Sequence, residues 1–323
     1  MLKILHTARY TGDPWMILKN VAPRGYTVET LEELSYECLL RQAKDADYLL
    51  VSGRLPIDEG VLKVAKHLKM IQRTGVGTEM LDLDAIKNHN IPVYVNNGVN
   101  ARSVAEHTLT LILACLKRLP QINSQTHSGV WKKQQQGITT HELYGKTVGL
   151  VGMGSIGRLV AYMLQALGAK VIYTDIFRQP EEVEKNLQLT YYECIHDLLP
   201  QVDILSLHCP LTTSNVEMLN EYTIAMMKEG AIVVNTARGK LVNPDDLYNA
   251  LKIGHLASAA LDTHFEEPIK EGYKLRELNN VILTPHIGGL SFEAFEKMMI
   301  AAMNNIVAFE NGEIEKLSNK KIE

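Results

Sequence analysis

Four cysteines in 323 residues, Cys38, Cys115, Cys194 and Cys209, stand far apart and form no metal-ligand spacing. No metal site and no disulfide scaffold is therefore expected, and thiols so scattered fit a reducing cytosol. Cys38 and Cys115 sit in helix-like apolar contexts and read as core residues. No apolar run approaches the length of a membrane span. The opening Met1-Leu2-Lys3-Ile4-Leu5-His6 reads as a first strand and not as a secretory signal. A surplus of one charge is missing too: 33 Lys+Arg against 37 Asp+Glu give a net −4, with no basic cluster at either end. Nucleic acid and membranes are therefore not expected partners. What is present, 46% hydrophobic and 22% charged residues, is an ordinary globular composition long enough for two domains.

Against that background one stretch stands out, Gly152-Met153-Gly154-Ser155-Ile156-Gly157. It follows the apolar run Thr147–Val151, which reads as a buried parallel strand. It opens a segment in which Leu159, Met163, Leu164 and Leu167 share one helical face, closed by Gly168. A second strand, Lys170–Thr174, then delivers Asp175. A tight turn, a backbone bare enough to approach pyrophosphate, close helix packing and an acid for the ribose make a dinucleotide fingerprint. The expected cofactor is NAD.

Strand-like and helix-like segments alternate along the chain, which predicts α/β layers on parallel sheets. In the first third, strands are expected at Lys3–His6, Tyr48–Ser52, Met70–Arg73 and Val93–Val95, with helical patterns at Leu31–Gln42, Asp58–Ala65 and Asp82–Asn88. A second series runs Thr147–Val151, Lys170–Thr174, Asp203–His208, Ala231–Asn235, Ser258–Asp262 and Val281–Thr284. The pattern of Ala46–Gly53 echoes that of Val202–Cys209, and Met70–Gly75 echoes Val233–Gly239, as two related sheets would. Two long helices, Ala101–Leu119 and Phe292–Glu310, look like hinges, the second with Ser291 as its N-cap. If both join the same two lobes, the nucleotide lobe is an insertion. Gln121–Tyr144 is polar, shows no clear period, and reads as a long loop that serves as a lid or interface arm.

Ligands of open α/β sheets bind beyond the carboxyl ends of the strands. The second series ends at or near Asp175, His208, Arg238, Asp262 and His286. Hydride transfer needs a proton donor or acceptor at the reacting carbon's oxygen, and histidine supplies one near neutral pH. Glu267 is placed to hold that imidazole and favour its charged form. The planar fork of an arginine suits a carboxylate next to a carbonyl. Arg238, Glu267 and His286 thus suffice to interconvert a 2-hydroxy acid and a 2-keto acid.

With these residues in place, the chain resembles the NAD-dependent D-2-hydroxyacid dehydrogenase family over nearly its whole length. The resemblance is carried by Asn100–His107, Leu207-His208-Cys209-Pro210-Leu211-Thr212, Asn235-Thr236-Ala237-Arg238-Gly239, Leu261-Asp262 through Glu267-Pro268, and Thr284-Pro285-His286-Ile287-Gly288-Gly289. It implies two Rossmann-like parallel-sheet domains, one flavodoxin-like and one dinucleotide-binding, with the active site in the cleft between them. Residues 1–99 with 291–323 would form the substrate domain, and 100–290 the NAD domain inserted in it. Arg238 would anchor the substrate, and His286 with Glu267 would be the acid/base. Ser103, His208, Cys209, Pro210, Thr236, Ala237, Asp262 and Gly288 would join the glycine turn and Asp175 around the cofactor, Asp262 near the nicotinamide amide. Arg54, Val76 and Gly77 would contact the substrate, the Gly75-Val76-Gly77 amides receiving its carboxylate. A homodimer through the NAD domain and the arm at 121–144 is also implied, in the cytoplasm.

The sequence departs from the family pattern at His264, where an aromatic or aliphatic residue is usual, and at Cys209, where an aliphatic one is common. With the polar stretch Asn311 to Glu323 at the end of the chain, a regulatory extension of the kind some phosphoglycerate dehydrogenases have is not expected. Two other readings stay open: a phosphoglycerate dehydrogenase without a regulatory domain, with Arg54, Lys132 and Lys133 for the phosphate, and an NAD(H)-binding co-repressor. Formate dehydrogenases share the fold, but Glu267 stands where they characteristically carry glutamine.

Overall fold

The computed structural model describes residues 1–317 and 321–322. The chain divides into two compact units, Met1–Asn100 with Leu290–Glu323, and Ala101–Gly289. Positions 318–320 and 323 of the polar end lie outside the described residues.

The first unit is built on strands β1 (Leu2–His6), β2 (Tyr26–Thr30), β3 (Tyr48–Val51), β4 (Met70–Arg73) and β5 (Val93–Tyr94), all parallel. A last strand pairs antiparallel with β5, so the six-stranded sheet runs last strand, β5, β4, β3, β1, β2. Strand periodicity sends alternate side chains to opposite faces, and both faces are covered. Leu5, Leu49, Val51 and Ile71 pack with Leu39, Val61 and Ile86. Ile4, Leu50, Met70 and Tyr94 pack on the other face with Leu18 and with Met298, Met303 and Ile306 of the helix Phe292–Glu310. Ser291 does cap that helix, its hydroxyl accepting the Ala294 N–H at 3.1 Å. A chain of buried amides fixes it to the sheet. Asn305 donates to Gln72 at 3.1 Å, Gln72 to Asn96 at 3.2 Å, and Asn96 to the Met298 carbonyl at 2.8 Å.

The second unit holds seven parallel strands: β6 (Thr147–Val151), β7 (Lys170–Thr174), β8 (Thr190–Tyr191), β9 (Ile204–Leu207), β10 (Ala231–Asn235), β11 (Leu256–Leu261) and β12 (Val281–Leu283). Their order is β12-β11-β10-β9-β6-β7-β8; the strand outside this series, Lys321–Ile322 of the first unit, is β13. Val148, Leu150 and Val234 pack under Ala105, Ile112 and Leu164, residues of the helices Ala101–Leu116 and Ser155–Ala166. Leu205, Leu207 and Val233 face Leu247 and Leu251 on the other side.

Three expectations from the sequence are corrected. The helix from Ala101 ends at Leu116, because Arg118 adopts the left-handed conformation (φ 48°) and breaks it. A new helix, Leu119–His127, starts there with Pro120 in its first turn, where a missing N–H costs nothing. The supposed loop at 121–144 therefore holds helical turns, at Leu119–His127 and Lys133–Gly137, neither with a buried residue. The pattern at Leu31–Gln42 becomes a helix only from Tyr36, since Ser35 is the cap and Leu31 is buried just beyond β2.

Candidate active site

Every strand of the second sheet runs the same way, so one edge gathers all the carboxyl ends. Beyond β6 the chain turns at Gly152 with φ +100°. A Cβ there would lie 2.7 Å from the backbone nitrogen of Cys209 and from the carbonyl carbon of His208. Only glycine lets this turn pass the start of the loop after β9. No side chain caps the helix Ser155–Ala166 that follows Gly154, so its first-turn amides remain a cradle for an anion. Asp175, at the end of β7, accepts the Met153 N–H at 2.6 Å and the Phe177 N–H at 3.0 Å. The structure thus joins the glycine turn and its acid directly, and the residues at this edge fit a dinucleotide.

His208 and Cys209 continue the edge from β9. The His208 ring lies 2.9 Å from the Ser206 hydroxyl, and burial pushes its pKa down to about 4, so it is neutral at pH 7. Burial pushes the Cys209 thiol up to about 11, with the charge of Asp175 adding to the effect. It is no thiolate. Pro210 is exposed and its carbonyl accepts from Asn215 at 2.8 Å. After β10, Asn235 shapes the next turn, accepting the Ala237 N–H at 3.0 Å and donating to the Arg238 carbonyl at 2.8 Å. Thr236 shares a 2.9 Å hydroxyl contact with Thr108. Arg238 donates from Nη1 to the Ala237 carbonyl at 2.8 Å.

The turn after β12 is held by Asp262, which is 2% exposed. Its carboxylate accepts from the Thr284 hydroxyl at 2.6 Å and from the Ile287 and Gly288 amides at 2.9 and 2.8 Å. Burial opposes its charge, but His107, Thr284 and these two amides outweigh that and hold the carboxyl well below the usual range. Ser103 completes the clamp, donating to the Gly288 carbonyl at 2.7 Å. His286 sits inside this turn with φ +56°, its N–H bonded to the Asp262 carbonyl at 2.8 Å. A non-glycine residue in the left-handed region costs energy and persists only where its surroundings fix it.

His286 Nδ1 lies 2.7 Å from Glu267 Oε2, with both side chains partly exposed. The hydrogen bond that His286 donates to Glu267 raises the histidine's pKa above its ordinary value, against an opposing effect of burial. Burial opposes the charge of Glu267 in turn, yet its bonds to His286 and to the His264 amide leave the carboxyl lowered. The pair is therefore a carboxylate beside an imidazole that favours its protonated form. With Nδ1 committed, Nε2 is the nitrogen left to exchange a proton with a ligand.

Two residues act here that the sequence did not assign. His107 reaches the Thr284 hydroxyl at 3.2 Å and Asp262 at 3.4 Å. His264, the departure from the family pattern, donates its backbone N–H to Glu267 Oε1 at 2.9 Å and from Nε2 to the Thr284 carbonyl at 2.9 Å. Gly239 packs so tightly beneath it that a Cβ would lie 1.9 Å from the His264 carbonyl. His264 thereby ties together the segments that carry Arg238, Glu267 and His286. Its unusual identity was the only sign of this in the sequence. At the amino-terminal edge of the same sheet, a cavity of about 530 Å³ is lined by Cys115, Lys146, Asp203, Lys228 and Ser258, with none of the strand-end groups.

In the first unit, the ends of β3 and β4 bring together the other candidates. Arg73 donates to the Gly77 carbonyl at 2.7 Å and to the Val51 carbonyl at 3.0 Å, anchoring the Gly75-Val76-Gly77 loop. Val76 and Arg54 are both exposed. Behind them His6 is fully buried and stacked 4.5 Å from Tyr10. Burial pushes its pKa down to about 3, with the charges of Arg54 and Arg73 acting in the same direction.

Among the described residues no cluster of His, Cys, Asp or Glu is arranged to hold a metal ion, and no helix is long and apolar enough to cross a membrane. Residues 109–288 match the family model described as D-isomer specific 2-hydroxyacid dehydrogenase, NAD binding domain. A D-3-phosphoglycerate dehydrogenase of Methanocaldococcus jannaschii is 38% identical over 91% of this chain, which spans 55% of that protein's length. A glyoxylate reductase of Thermofilum pendens is 37% identical, over 89% of this chain and 86% of its own. Among solved structures, the TT0316 protein of Thermus thermophilus superposes with a TM-score of 0.86 at 34% identity, covering 96% of this chain and 97% of that one.

Proposed function

Because the chain belongs to the D-isomer specific 2-hydroxyacid dehydrogenases and uses NAD, we propose that Arg238, Glu267 and His286 carry out its interconversion of a small 2-keto acid and the D-2-hydroxy acid. The observation that supports this most is the 2.7 Å contact of His286 with Glu267 at the sheet edge that also carries Arg238 and the glycine turn. Bound NADH supplies the hydride. The Arg238 fork holds the substrate carboxylate and polarises the carbonyl beside it. His286 gives a proton from Nε2 to that oxygen during reduction and takes it back during oxidation. Glu267 orients the ring through Nδ1 and favours the imidazolium. In the Gly152–Gly157 stretch the first-turn amides of the helix Ser155–Ala166 receive the pyrophosphate, the glycine turn lets it approach, and Asp175 accepts the ribose hydroxyls. Ser103, His208, Cys209, Pro210, Thr236, Ala237, Asp262 and Gly288 complete the cofactor site. Arg54, Val76 and Gly77 contact the substrate.

The substrate we favour is a short 2-keto acid of the glyoxylate class, on the strength of the glyoxylate reductase relative. The phosphoglycerate dehydrogenase relative keeps a phosphorylated hydroxy acid as the second reading. We assign a homodimer through the NAD domain and the arm at 121–144, whose Trp131, Ile138 and Tyr144 are 81, 82 and 77% exposed, an apolar surface suited to a partner copy. Four free cysteines fit the cytoplasm. An NADH-oxidation panel of glyoxylate, hydroxypyruvate, pyruvate, longer 2-keto acids and phosphohydroxypyruvate tests the reading. Turnover of the short acids is expected. A phosphohydroxypyruvate preference selects the second reading, and no turnover of any of them overturns both in favour of a binding role.

A further inference from the structure

Three residues beyond the ribose acid stands an arginine, Arg178, and the structure shows where its fork goes. Nε donates to Glu184 Oε1 at 3.0 Å and Nη2 to Glu184 Oε2 at 2.9 Å, a bidentate pair. Its guanidinium carbon lies 5.3 Å from the centroid of the Tyr191 ring. Glu184 is fixed from the other side by the Tyr173 hydroxyl, which donates to Oε1 at 2.6 Å and accepts the Gln179 N–H at 2.8 Å. The Tyr191 hydroxyl reaches the Asp175 carbonyl at 3.4 Å, so this platform borders the acid itself.

Exposed ion pairs usually hold little, because two long side chains lose freedom for a screened attraction. This pair differs: the Glu184 side chain is only 10% exposed, it is anchored by a tyrosine of β7, and the arginine is stacked on a tyrosine of β8. A 2′-phosphate on the adenosine ribose would bring negative charge beside Asp175. Arg178 is the residue type, at the place in sequence, that would neutralise it. Arg158 contacts the Gln179 side chain at 3.4 Å, and Lys185 pairs with Glu181 at 2.7 Å.

We propose that Glu184 is a specificity-determining residue: by holding Arg178 in a bidentate pair, it withholds that cation from a 2′-phosphate and reinforces NAD over NADP. The proposal rests on the reading of Asp175 as the ribose acceptor. The test is fluorescence titration of the full chain with NADH and NADPH, without substrate, for wild type, Glu184→Gln, Arg178→Ala and the double variant. Releasing Arg178 in Glu184→Gln should tighten NADPH by about tenfold, as one new charge-assisted hydrogen bond does, with NADH unchanged. The double variant should lose that gain. Arg178→Ala alone should leave NADPH affinity where it was, since the arginine is already committed; should Glu184→Gln not fold, Glu184→Ala, which also frees Arg178, takes its place with the same expected gain. An unchanged NADPH affinity in folded Glu184→Gln, or a weaker one in Arg178→Ala, overturns the proposal. Equal wild-type affinities for NADH and NADPH would instead count against Asp175, while an Arg178-dependent gain would still support Glu184.

Discussion

The order β2-β1-β3-β4-β5 of the first sheet recurs as β7-β6-β9-β10-β11 in the second, and the two agree closely along their amino-terminal edges. Asp47, just before β3, accepts the backbone N–H of Lys3 in β1 at 2.8 Å, and Asp203, just before β9, accepts that of Thr147 in β6 at 2.8 Å. The carboxyl edges diverge. Beyond β1 come Thr7 and Ala8, both fully buried, and Ser52 after β3 donates to Thr7 from its amide at 3.2 Å and its hydroxyl at 3.3 Å. Beyond β6 the equivalent space is crossed by bare backbone at Gly152. A sheet whose crossing is filled with side chains is closed to a pyrophosphate, while one crossed by glycine admits it. One edge of each sheet stores stability, and the other is where the candidate site residues stand.

The largest effect should come from the chemical edge of the second sheet. His286→Ala should lower the rate of keto-acid reduction by roughly two to four orders of magnitude, the usual worth of a general acid, while NADH binding by fluorescence survives. Near-normal turnover with chemistry rate-limiting would remove the catalytic role from this edge. Next comes the crossing: Gly152→Ala forces a Cβ against the Cys209 backbone in a left-handed conformation. A penalty of roughly 1–2 kcal/mol for that conformation alone predicts NADH binding weaker by roughly five- to thirtyfold. Thr7→Gly, at the crossing of the first sheet, should leave NADH binding unchanged, and any change there would break the contrast.

The pH dependence sharpens the same edge. Glu267 raises the pKa of His286, and reduction needs the imidazolium, so reductive activity should extend to higher pH than a free imidazole would allow. In Glu267→Gln the decline should move to lower pH, seen in the kcat profile; an identical profile would dissolve the pair. The smallest effect belongs to the amino edges. Asp47→Ala and Asp203→Ala should each lose roughly 1.5–3 kcal/mol of stability in denaturant melts, as for a hydrogen bond to a charged group, with NADH affinity intact. Unequal losses would show that the matching edges are alike in geometry only.

The echoes between 46–53 and 202–209, and between 70–75 and 233–239, fall on β3 with β9 and β4 with β10, which hold equivalent places in the two sheets. Buried parallel strands were legible because both faces are covered and their apolar runs are continuous. Except for β12, the sheet edges were not. Tyr26-Thr27-Val28-Glu29-Thr30 is half-buried and polar, and β8 and β13 are two residues each. The helix Asp13–Asn20 buries only Leu18, too little for a period to show. Arg238 and His286 could be singled out because a strand end is a local feature. The parts of His107 and His264 could not, since each depends on a contact made to Thr284, 177 and 20 positions away.

The buried amides that join Asn305 to Gln72 link residues 233 positions apart. A contact of that sequence separation must wait for everything between to be made and gathered in. As the chain is synthesised from its amino end, the strands β1 to β5 leave the ribosome first but obtain the helix Phe292–Glu310 last, with Ile4, Leu50, Met70 and Tyr94 uncovered until it arrives. Residues 101–289 face no such delay, being one continuous stretch. The sheet begun first is finished last, so a chain released with its end at position 291 would carry a complete nucleotide-binding unit beside a half-covered, aggregation-prone one.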